Sequence, residues 1–151
     1  GAFQYISNHP EIKIIYLYRA NILNRYISLV FMGENNQAVS YQQIKNNKLH
    51  IDIDDLIDKM NVFDLLRKDE EVFVASLKSH EVLSIEYEEY FKDLKSIDSW
   101  NKKVFEFIGL QPVTKLSQQK KILSRSLKDN ILNYDEVVSS LKGTKYEQFL
   151  N

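Results

Sequence analysis

The 151-residue chain contains no cysteine, only two prolines and only four glycines. Without cysteine it can form no disulfide, no thiolate metal site and no cysteine nucleophile. So few glycines and prolines argue against a loop-rich all-β design, because tight turns depend on these residues. The lack of cysteine is compatible with a reducing compartment, and we expect a cytoplasmic protein.

Strong net charge and long apolar runs are also missing. The formal net charge is -1 and the isoelectric point is near 6.4, which argues against a nucleic-acid or membrane-surface protein. No apolar run approaches the ~20 residues needed to span a bilayer, and we recognise no signal-peptide pattern. The chain does have 44% hydrophobic residues, which is enough for the core of a single domain over 1–151.

The hydrophobic pattern alternates between strands and helices. Residues 12–18 are β-branched and aromatic, which predicts a buried strand, and residues 82–87 predict a second strand. Strands separated by long helical stretches imply a helix-rich α/β fold with a short parallel sheet. The pattern predicts helical turns over 3–8 and a helix over 20–33. A second long helix carries the apolar residues of 56–66, with continuation to 77 left open, and a third follows Ser99 to residue 108. Two small helices near 127–132 and 134–142 and a last turn over 145–150 complete the pattern.

Polar residues and glycines predict where these helices begin and end. We expect Asp54 or Asp55 to cap the second long helix and Ser99 to cap the third. Gly109 and Gly143 would close two helices, and Thr144 with Glu147 would form a capping box. Between the first two long helices, the alternation at 49–53 indicates a short extended piece.

Two strands are too few for an ordinary doubly wound sheet. The chain also opens on residues typical of the end of a helix, closed by His9 and Pro10. We therefore expect the chain to be the C-terminal portion of a longer domain.

A candidate anion site follows the first predicted strand. Ligands of open α/β sheets bind beyond the carboxyl ends of the strands, and Arg19 comes directly after this one. A guanidinium offers a planar fork to phosphate oxygens. Ser28 follows nine residues later and can face the same ligand if the helix folds back over the strand end. The alternative is that Arg19 pairs with a surface carboxylate and Ser28 is an ordinary helix residue.

A basic segment is the second candidate. Residues 113–128 carry no acidic side chain but five basic ones, Lys115, Lys120, Lys121, Arg125 and Lys128. A basic loop close to the strand-end arginine can bind phosphate or sulfate. The alternative is a solvated basic face, which is the commoner meaning of a charge run.

The remaining polar residues predict structure more than chemistry. The histidines, His9, His50 and His80, are far apart and lack the spacing of metal ligands. Asp52, Asp54 and Asp55 lack the glycine and terminal glutamate of a calcium loop, so helix capping explains them better. The acids beside Tyr87, Glu86, Glu88 and Glu89, can supply a general base or have a structural role.

Three segments resemble the sulfotransferases that use 3′-phosphoadenosine 5′-phosphosulfate, in particular the bacterial and cyanobacterial type. YLYRANILNRYISLVFM resembles the segment that grips the donor's 3′-phosphate, through Arg19, Asn21, Leu23 and Ser28. VLSIEYEEYFKD and WNKKVFEFIGLQP look like the family's Tyr-Glu strand and the helix after it. DNILNYDEVVSSLKGTKYEQFL is similar to its C-terminal segment. The three occur in the family's order and cover most of residues 12–150.

The resemblance implies a P-loop-like, three-layer sulfotransferase fold. It implies that Arg19 and Ser28 bind the 3′-phosphate of 3′-phosphoadenosine 5′-phosphosulfate, and that Lys120, Lys121 and Arg125 belong to the segment that closes over the nucleotide. The donor is a co-substrate and no metal is implied. The acceptor would be a hydroxyl or amine, carbohydrate or lipid-linked, and the sequence does not identify it.

The chain departs from the family at the part of the site that holds the donor's 5′-phosphosulfate. The family holds the 5′-phosphosulfate with a glycine-containing loop after its first strand, and no glycine of this chain follows a strand in that way. The catalytic base is unknown for the same reason. We therefore expect little or no transferase activity from the chain alone. The alternative function is a non-catalytic binding or scaffold module, and an apolar face left open would favour a homodimer.

Overall fold

The computed structural model describes residues 1–35, 48–113 and 126–150. The chain divides into two compact units. We call Gly1–Ala20 with Leu65–Lys115 the strand unit, and Asn21–Asp64 with Leu116–Asn151 the helical unit.

The strand unit contains the two named strands among the described residues. Its elements are helix α1 (Ala2–Ser7), strand β1 (Ile14–Tyr18), the second half of helix α3 (Ile53–Ser76), strand β2 (Val82–Glu86) and helices α4 (Tyr87–Tyr90) and α5 (Leu94–Phe107). The predicted strands and the helical turns before them are confirmed, with β1 beginning two residues later than the pattern indicates.

The two strands pair in parallel, with Ile14 opposite Val82 and Tyr18 opposite Glu86. Because side chains alternate between the faces of a sheet, Tyr16 and Tyr18 share one face. The Tyr16 hydroxyl lies 3.4 Å from the Glu70 carboxylate of α3 on that side. The opposite face contacts α4 and α5. The strand unit is thus a small sheet with helices on both faces, and a helix-rich α/β class is confirmed.

The helical unit holds the larger core. It contains helix α2 (Ile22–Asn35), the first half of α3, helices α6 (Leu127–Asn130) and α7 (Tyr134–Leu141) and a 3-10 turn, Glu147–Leu150. Apolar residues recur at helical spacing in this unit, so they share one face of a helix, and that face packs into the core. The side chains with at most 2% exposure are Ile22, Leu23, Ile27, Leu49, Ile51, Leu56, Met60, Ile131, Val137 and Leu141.

An extended piece before α3 joins the tail of the chain within this unit. Leu49 forms a parallel bridge with Ile131, as expected for a short extended segment, whereas Ile53 already begins α3. The Asn133 side chain accepts from the Ile51 N–H and donates to the Ile51 carbonyl, both at 2.9 Å. The Asn133 side chain therefore makes with the backbone of buried Ile51 the two hydrogen bonds that a neighbouring strand would make.

Two predicted helix caps are wrong. Asp52, rather than Asp54 or Asp55, caps α3, because its carboxylate accepts the Asp55 N–H at 3.0 Å. Asp93, rather than Ser99, caps α5, because its carboxylate accepts the Ser96 N–H at 2.8 Å. That hydrogen bond lowers the pKa of Asp93. α5 thus begins about a turn before its apolar stripe.

The predicted helix ends are confirmed. Gly109 and Gly143 follow α5 and α7 with φ of 77° and 74°, a conformation that costs glycine least. The capping box at the last turn forms with a shift. Thr144 Oγ1 accepts the Tyr146 N–H at 3.1 Å, and the Glu147 carboxylate accepts the Gly143 N–H at 2.9 Å.

Candidate functional site

The carboxyl ends of β1 and β2 lie side by side in the strand unit, since the strands are parallel and in register. Arg19 follows β1 directly, and Tyr87 and Glu88 follow β2 in the short helix α4. The expectation that Arg19 lies at the carboxyl end of a strand in a parallel pair is therefore met.

Arg19 is held by both residues that follow β2. Its Nε lies 3.6 Å from Glu88 Oε1, with 24% and 29% of the two side chains exposed. Its guanidinium carbon lies 4.4 Å from the centre of the Tyr87 ring. A guanidinium over an aromatic face gains roughly 0.5–2 kcal/mol and loses freedom to change rotamer. The stacked Tyr87 ring thus restricts the side chain at the strand end, and Glu88 adds electrostatic attraction.

The backbone turn after Arg19 is held from two sides. The Ala20 N–H donates to Glu88 Oε2 at 2.9 Å, and an Arg67 Nη1–H donates to the Ala20 carbonyl at 3.2 Å. Arg67 is oriented in turn by Glu71, one helical turn on, at 2.8 Å. The hydrogen bond to Glu71 raises the pKa of Arg67, so its charge is permanent.

Two stacked tyrosines lie on β1 next to this turn. The rings of Tyr16 and Tyr18 are 5.2 Å apart, and the Arg67 guanidinium lies 5.7 Å from the Tyr18 ring. Burial is the main cause of the raised pKa of both phenols, and nearby carboxylates add to it. The two stacked rings lie beside Arg67.

Ser28 belongs to the helical unit. It lies on α2, where its hydroxyl donates to the Asn24 carbonyl at 2.8 Å, a common bond for a helical serine. Asn21 caps the same helix, accepting the Asn24 N–H at 2.9 Å, and Leu23 is fully buried. Two of the residues of the resemblance, Asn21 and Leu23, thus have clear structural roles.

Most of the basic segment lies outside the described residues. Lys115, Lys120, Lys121 and Arg125 lie outside the described residues, which resume at Ser126. Their assignment to the nucleotide stays a prediction. Lys128 is described and is exposed on α6.

The glycines are all described, and each has a place other than a phosphate loop. Gly1 precedes α1, Gly33 lies within α2, and Gly109 and Gly143 follow helices. The part of the family's donor site that holds the 5′-phosphosulfate therefore has no counterpart among these glycines.

Two of the three histidines have hydrogen-bond partners in the structure. His9 Nδ1 lies 2.8 Å from Glu11, and His80 Nε2 lies 2.8 Å from the Ile6 carbonyl. Across 1–35, 48–113 and 126–150, no group of three or more His, Asp or Glu side chains is arranged to hold a metal ion. No helix within those residues is both long and apolar enough to cross a membrane.

Sequence reasoning did not single out Arg67, and it left Glu88 with two interpretations. Arg67 and Glu71 have the spacing of an ion pair on one helical face, which is visible in the sequence. Their link to Ala20 is not visible, because it spans 47 residues. Glu88 reaches Ala20 across 68 residues and depends on the register of the two strands.

An apolar cavity of about 230 Å³ lies on the sheet face that contacts α4 and α5. Its walls are Ile15, Leu17, Ile85, Tyr90, Phe91 and Val104. Ile15 and Leu17 are 43% and 54% exposed, so this face of β1 keeps apolar surface in contact with solvent. The cavity has no charged lining and adds no chemistry to the strand end.

Comparisons with known proteins identify no relative of the chain. No protein-family model, curated protein or solved structure matches the chain.

Proposed function

We propose that this chain is a sulfotransferase-like protein that binds the 3′-phosphate end of 3′-phosphoadenosine 5′-phosphosulfate. In a full domain, the bound donor would give its sulfuryl group to a hydroxyl or amine acceptor. One observation carries the proposal: Arg19 and the Ala20 N–H, at the carboxyl end of a parallel strand, converge on a negatively charged group. A phosphate oxygen has the charge and acceptor character that these donors require.

The physical role of such a site is remote binding. Sulfuryl transfer, like phosphoryl transfer, depends on positioning and on stabilising charge at the leaving group. A 3′-phosphate held by Arg19 contributes binding energy without contact to the transferring sulfur. Tyr87 and Arg67 hold the guanidinium and its turn in place beforehand, which lowers the entropy lost on binding.

The finer assignments belong to the same proposal. Ser28 would be a second ligand of the 3′-phosphate, and Lys120, Lys121 and Arg125 would contact the nucleotide. A P-loop-like, sulfotransferase-type fold is supported by a parallel strand pair with helices on both faces. A cytoplasmic location, a carbohydrate or lipid-linked acceptor and a homodimer are further parts of the proposal.

A second candidate is a non-catalytic binding or scaffold module that keeps the fold without transferase activity. The observation that favours it is that both predicted ligands have structural partners. Glu88 pairs with Arg19, and the Ser28 hydroxyl bonds its own helix. Such contacts hold a fold together without any ligand.

Calorimetric titration with adenosine 3′,5′-diphosphate separates the two candidates. We expect the wild type to bind and Arg19→Ala to lose at least about tenfold in affinity, since hydrogen bonds to charged groups contribute about 1.5–3 kcal/mol. Lys102→Ala is the matched control, because it removes one positive charge from an exposed position of the same unit. Equal affinities for the two variants would contradict the role of Arg19.

The same titration tests Ser28 with a closely matched serine. Ser139 also donates to the carbonyl four residues before it, at 2.8 Å, on the exposed side of α7. We expect Ser28→Ala to weaken nucleotide binding several-fold and Ser139→Ala to leave it unchanged. Equal affinities would remove Ser28 from the proposal. A triple alanine variant at Lys120, Lys121 and Arg125 tests the basic segment in the same way.

Transferase activity is expected to be little or none for the chain alone. The donor end that carries the sulfuryl group would lack its glycine loop, and one transition-state hydrogen-bond donor can be worth ~10²–10³ in rate. A radiolabelled donor and a broad acceptor panel provide the measurement. Turnover by the purified chain would overturn this expectation.

A further inference from the structure

The two oxygens of the Glu88 carboxylate engage two neighbouring groups at the strand end. Oε1 lies 3.6 Å from the Arg19 Nε, and Oε2 accepts the Ala20 N–H at 2.9 Å. A guanidinium next to a backbone N–H is a donor set that suits either a carboxylate or a phosphate. Glu88 therefore occupies the position in which a phosphate would meet these two donors.

The hold of Glu88 on Arg19 is loose. A charge-assisted hydrogen bond between nitrogen and oxygen measures about 2.7–2.9 Å, and the 3.6 Å between Nε and Oε1 is well outside this range. Both atoms are buried from solvent, so screening by water weakens their attraction little. An ion pair with this geometry is attractive but can be exchanged for a better-placed anion.

The turn does not depend on Glu88 alone. Arg67 holds the Ala20 carbonyl and is itself held by Glu71, while the Tyr87 ring lies against the Arg19 guanidinium. Removing the negative charge of Glu88 would leave these contacts in place. Glu88 is thus better placed to compete for the donors than to position them.

We propose that the Glu88 carboxylate is an internal occupant of the Arg19 anion site, which an incoming phosphate must displace. The inference rests on the proposed function, because the phosphate concerned is the one that Arg19 is proposed to bind. Glu88 then sets the affinity of the site, because a phosphate must replace its contacts with Arg19 and the Ala20 N–H. A ligand with one negative charge would bind poorly, because its attraction to Arg19 would barely exceed that of the Glu88 carboxylate that it displaces.

The test is a comparison of Glu88→Gln with Glu89→Gln. A glutamine at 88 removes the negative charge, keeps one oxygen that can accept the Ala20 N–H, and replaces the oxygen facing Arg19 by an NH2 group. Glu89 is the next residue, exposed and 3.7 Å from Lys92, so its variant makes the same charge change away from the site. Each variant is titrated with adenosine 3′,5′-diphosphate and, separately, with inorganic phosphate. Circular dichroism confirms that both variants are folded.

We expect Glu88→Gln to bind the nucleotide at least about tenfold more tightly than the wild type, because juxtaposed like charges are costly. Glu89→Gln should change the affinity less than twofold. Adding Arg19→Ala to Glu88→Gln should abolish the gain. Weaker or equal binding by Glu88→Gln would overturn the inference, and weaker binding would make Glu88 a positioning residue.

The two probes separate failure of this inference from failure of the proposed function. Arg19-dependent binding of inorganic phosphate by Glu88→Gln, without binding of the nucleotide, would support the displaced carboxylate and contradict the sulfotransferase proposal. If the wild type binds the nucleotide and Glu88→Gln binds it more weakly, the sulfotransferase proposal is supported and the displacement of Glu88 is contradicted. Binding of neither probe by Glu88→Gln would overturn both.

Discussion

The helical unit and the strand unit differ most in how much apolar surface each buries. The hydrophobic core cluster contains fifteen buried residues, and all of them belong to the helical unit. Among the described residues, the strand unit buries only two apolar side chains, Leu77 and Ile85. The candidate anion site lies in the unit with the smaller core.

This difference suggests a division of roles within the chain. The helical unit gains its stability from apolar burial, at about 25 cal/mol per Å². The strand unit has less of this burial, and polar contacts of Arg19, Arg67 and Glu88 hold its strand end. Regions that bind ligands are commonly drawn from the less stable parts of a protein. We therefore expect the strand unit to open more readily than the helical unit.

The largest expected effect comes from one helix that contributes leucines to both units. Leu56 of α3 is fully buried in the helical unit, and Leu65 of the same helix is 62% exposed in the strand unit. Leu56→Ala should lower the free energy of unfolding by about 2–5 kcal/mol, whereas Leu65→Ala should cost under about 0.5 kcal/mol. Chemical denaturation measures both. Similar losses would contradict the unequal cores.

The next largest loss of stability is expected from removing an asparagine side chain that makes hydrogen bonds, and each unit has one to compare. Asn133 satisfies the N–H and the carbonyl of buried Ile51, whereas Asn101 accepts one bond, from the Tyr90 hydroxyl at 2.5 Å. Asn133→Ala should cost about 1–3 kcal/mol, because it leaves two buried backbone groups without a partner. Asn101→Ala should cost less, about 1 kcal/mol.

Hydrogen exchange at the Ile51 amide gives the decisive readout for this pair. Its exchange should quicken in Asn133→Ala and stay unchanged in Asn101→Ala. If the Ile51 amide keeps its protection without Asn133, the side chain is not the group that holds it.

A smaller effect, with a pH dependence, is expected from a tyrosine pair. Tyr26 is buried in the helical unit and donates to Asp55 at 2.8 Å, and burial followed by this bond raises its pKa. Because the phenol is held neutral in the folded state, its contribution is complete below the ordinary tyrosine pKa near 10 and falls as pH rises above that value.

Tyr26→Phe should therefore cost about 0.5–1.5 kcal/mol at neutral pH and flatten the loss of stability above pH ~10. The matched change in the strand unit is Tyr16→Phe, which removes a longer contact of 3.4 Å to exposed Glu70 and should cost less. Denaturation series from pH 7 to 11 compare the two. An unchanged alkaline slope in Tyr26→Phe would refute the assignment.

The sequence predicts much of the fold because its elements depend on local patterns. Residues 14–18 combine β-branched and aromatic side chains, and α2 has one apolar face, so both elements could be recognised. The caps were harder to predict. Asp93 caps a first turn that includes exposed Leu94, so the apolar periodicity begins after the helix does.

The candidate site was predictable only in part, for a physical reason. Arg19 follows its strand in the sequence, and its place at the strand end follows from that alone. Its partner Glu88 depends on the parallel register that sets Tyr18 opposite Glu86. A shift of that register would move Glu88 away from Ala20, and no local pattern fixes it.

Hydrogen exchange with and without adenosine 3′,5′-diphosphate tests the central claim most directly, that the anion site lies at the end of β1 in the strand unit. We predict slower exchange in peptides covering 14–21 and 83–91 when the nucleotide is bound and no change across 134–141. In Arg19→Ala, at the same nucleotide concentration, the slowing should be much smaller. Protection confined to the helical unit, or protection that is undiminished without Arg19, would contradict the account.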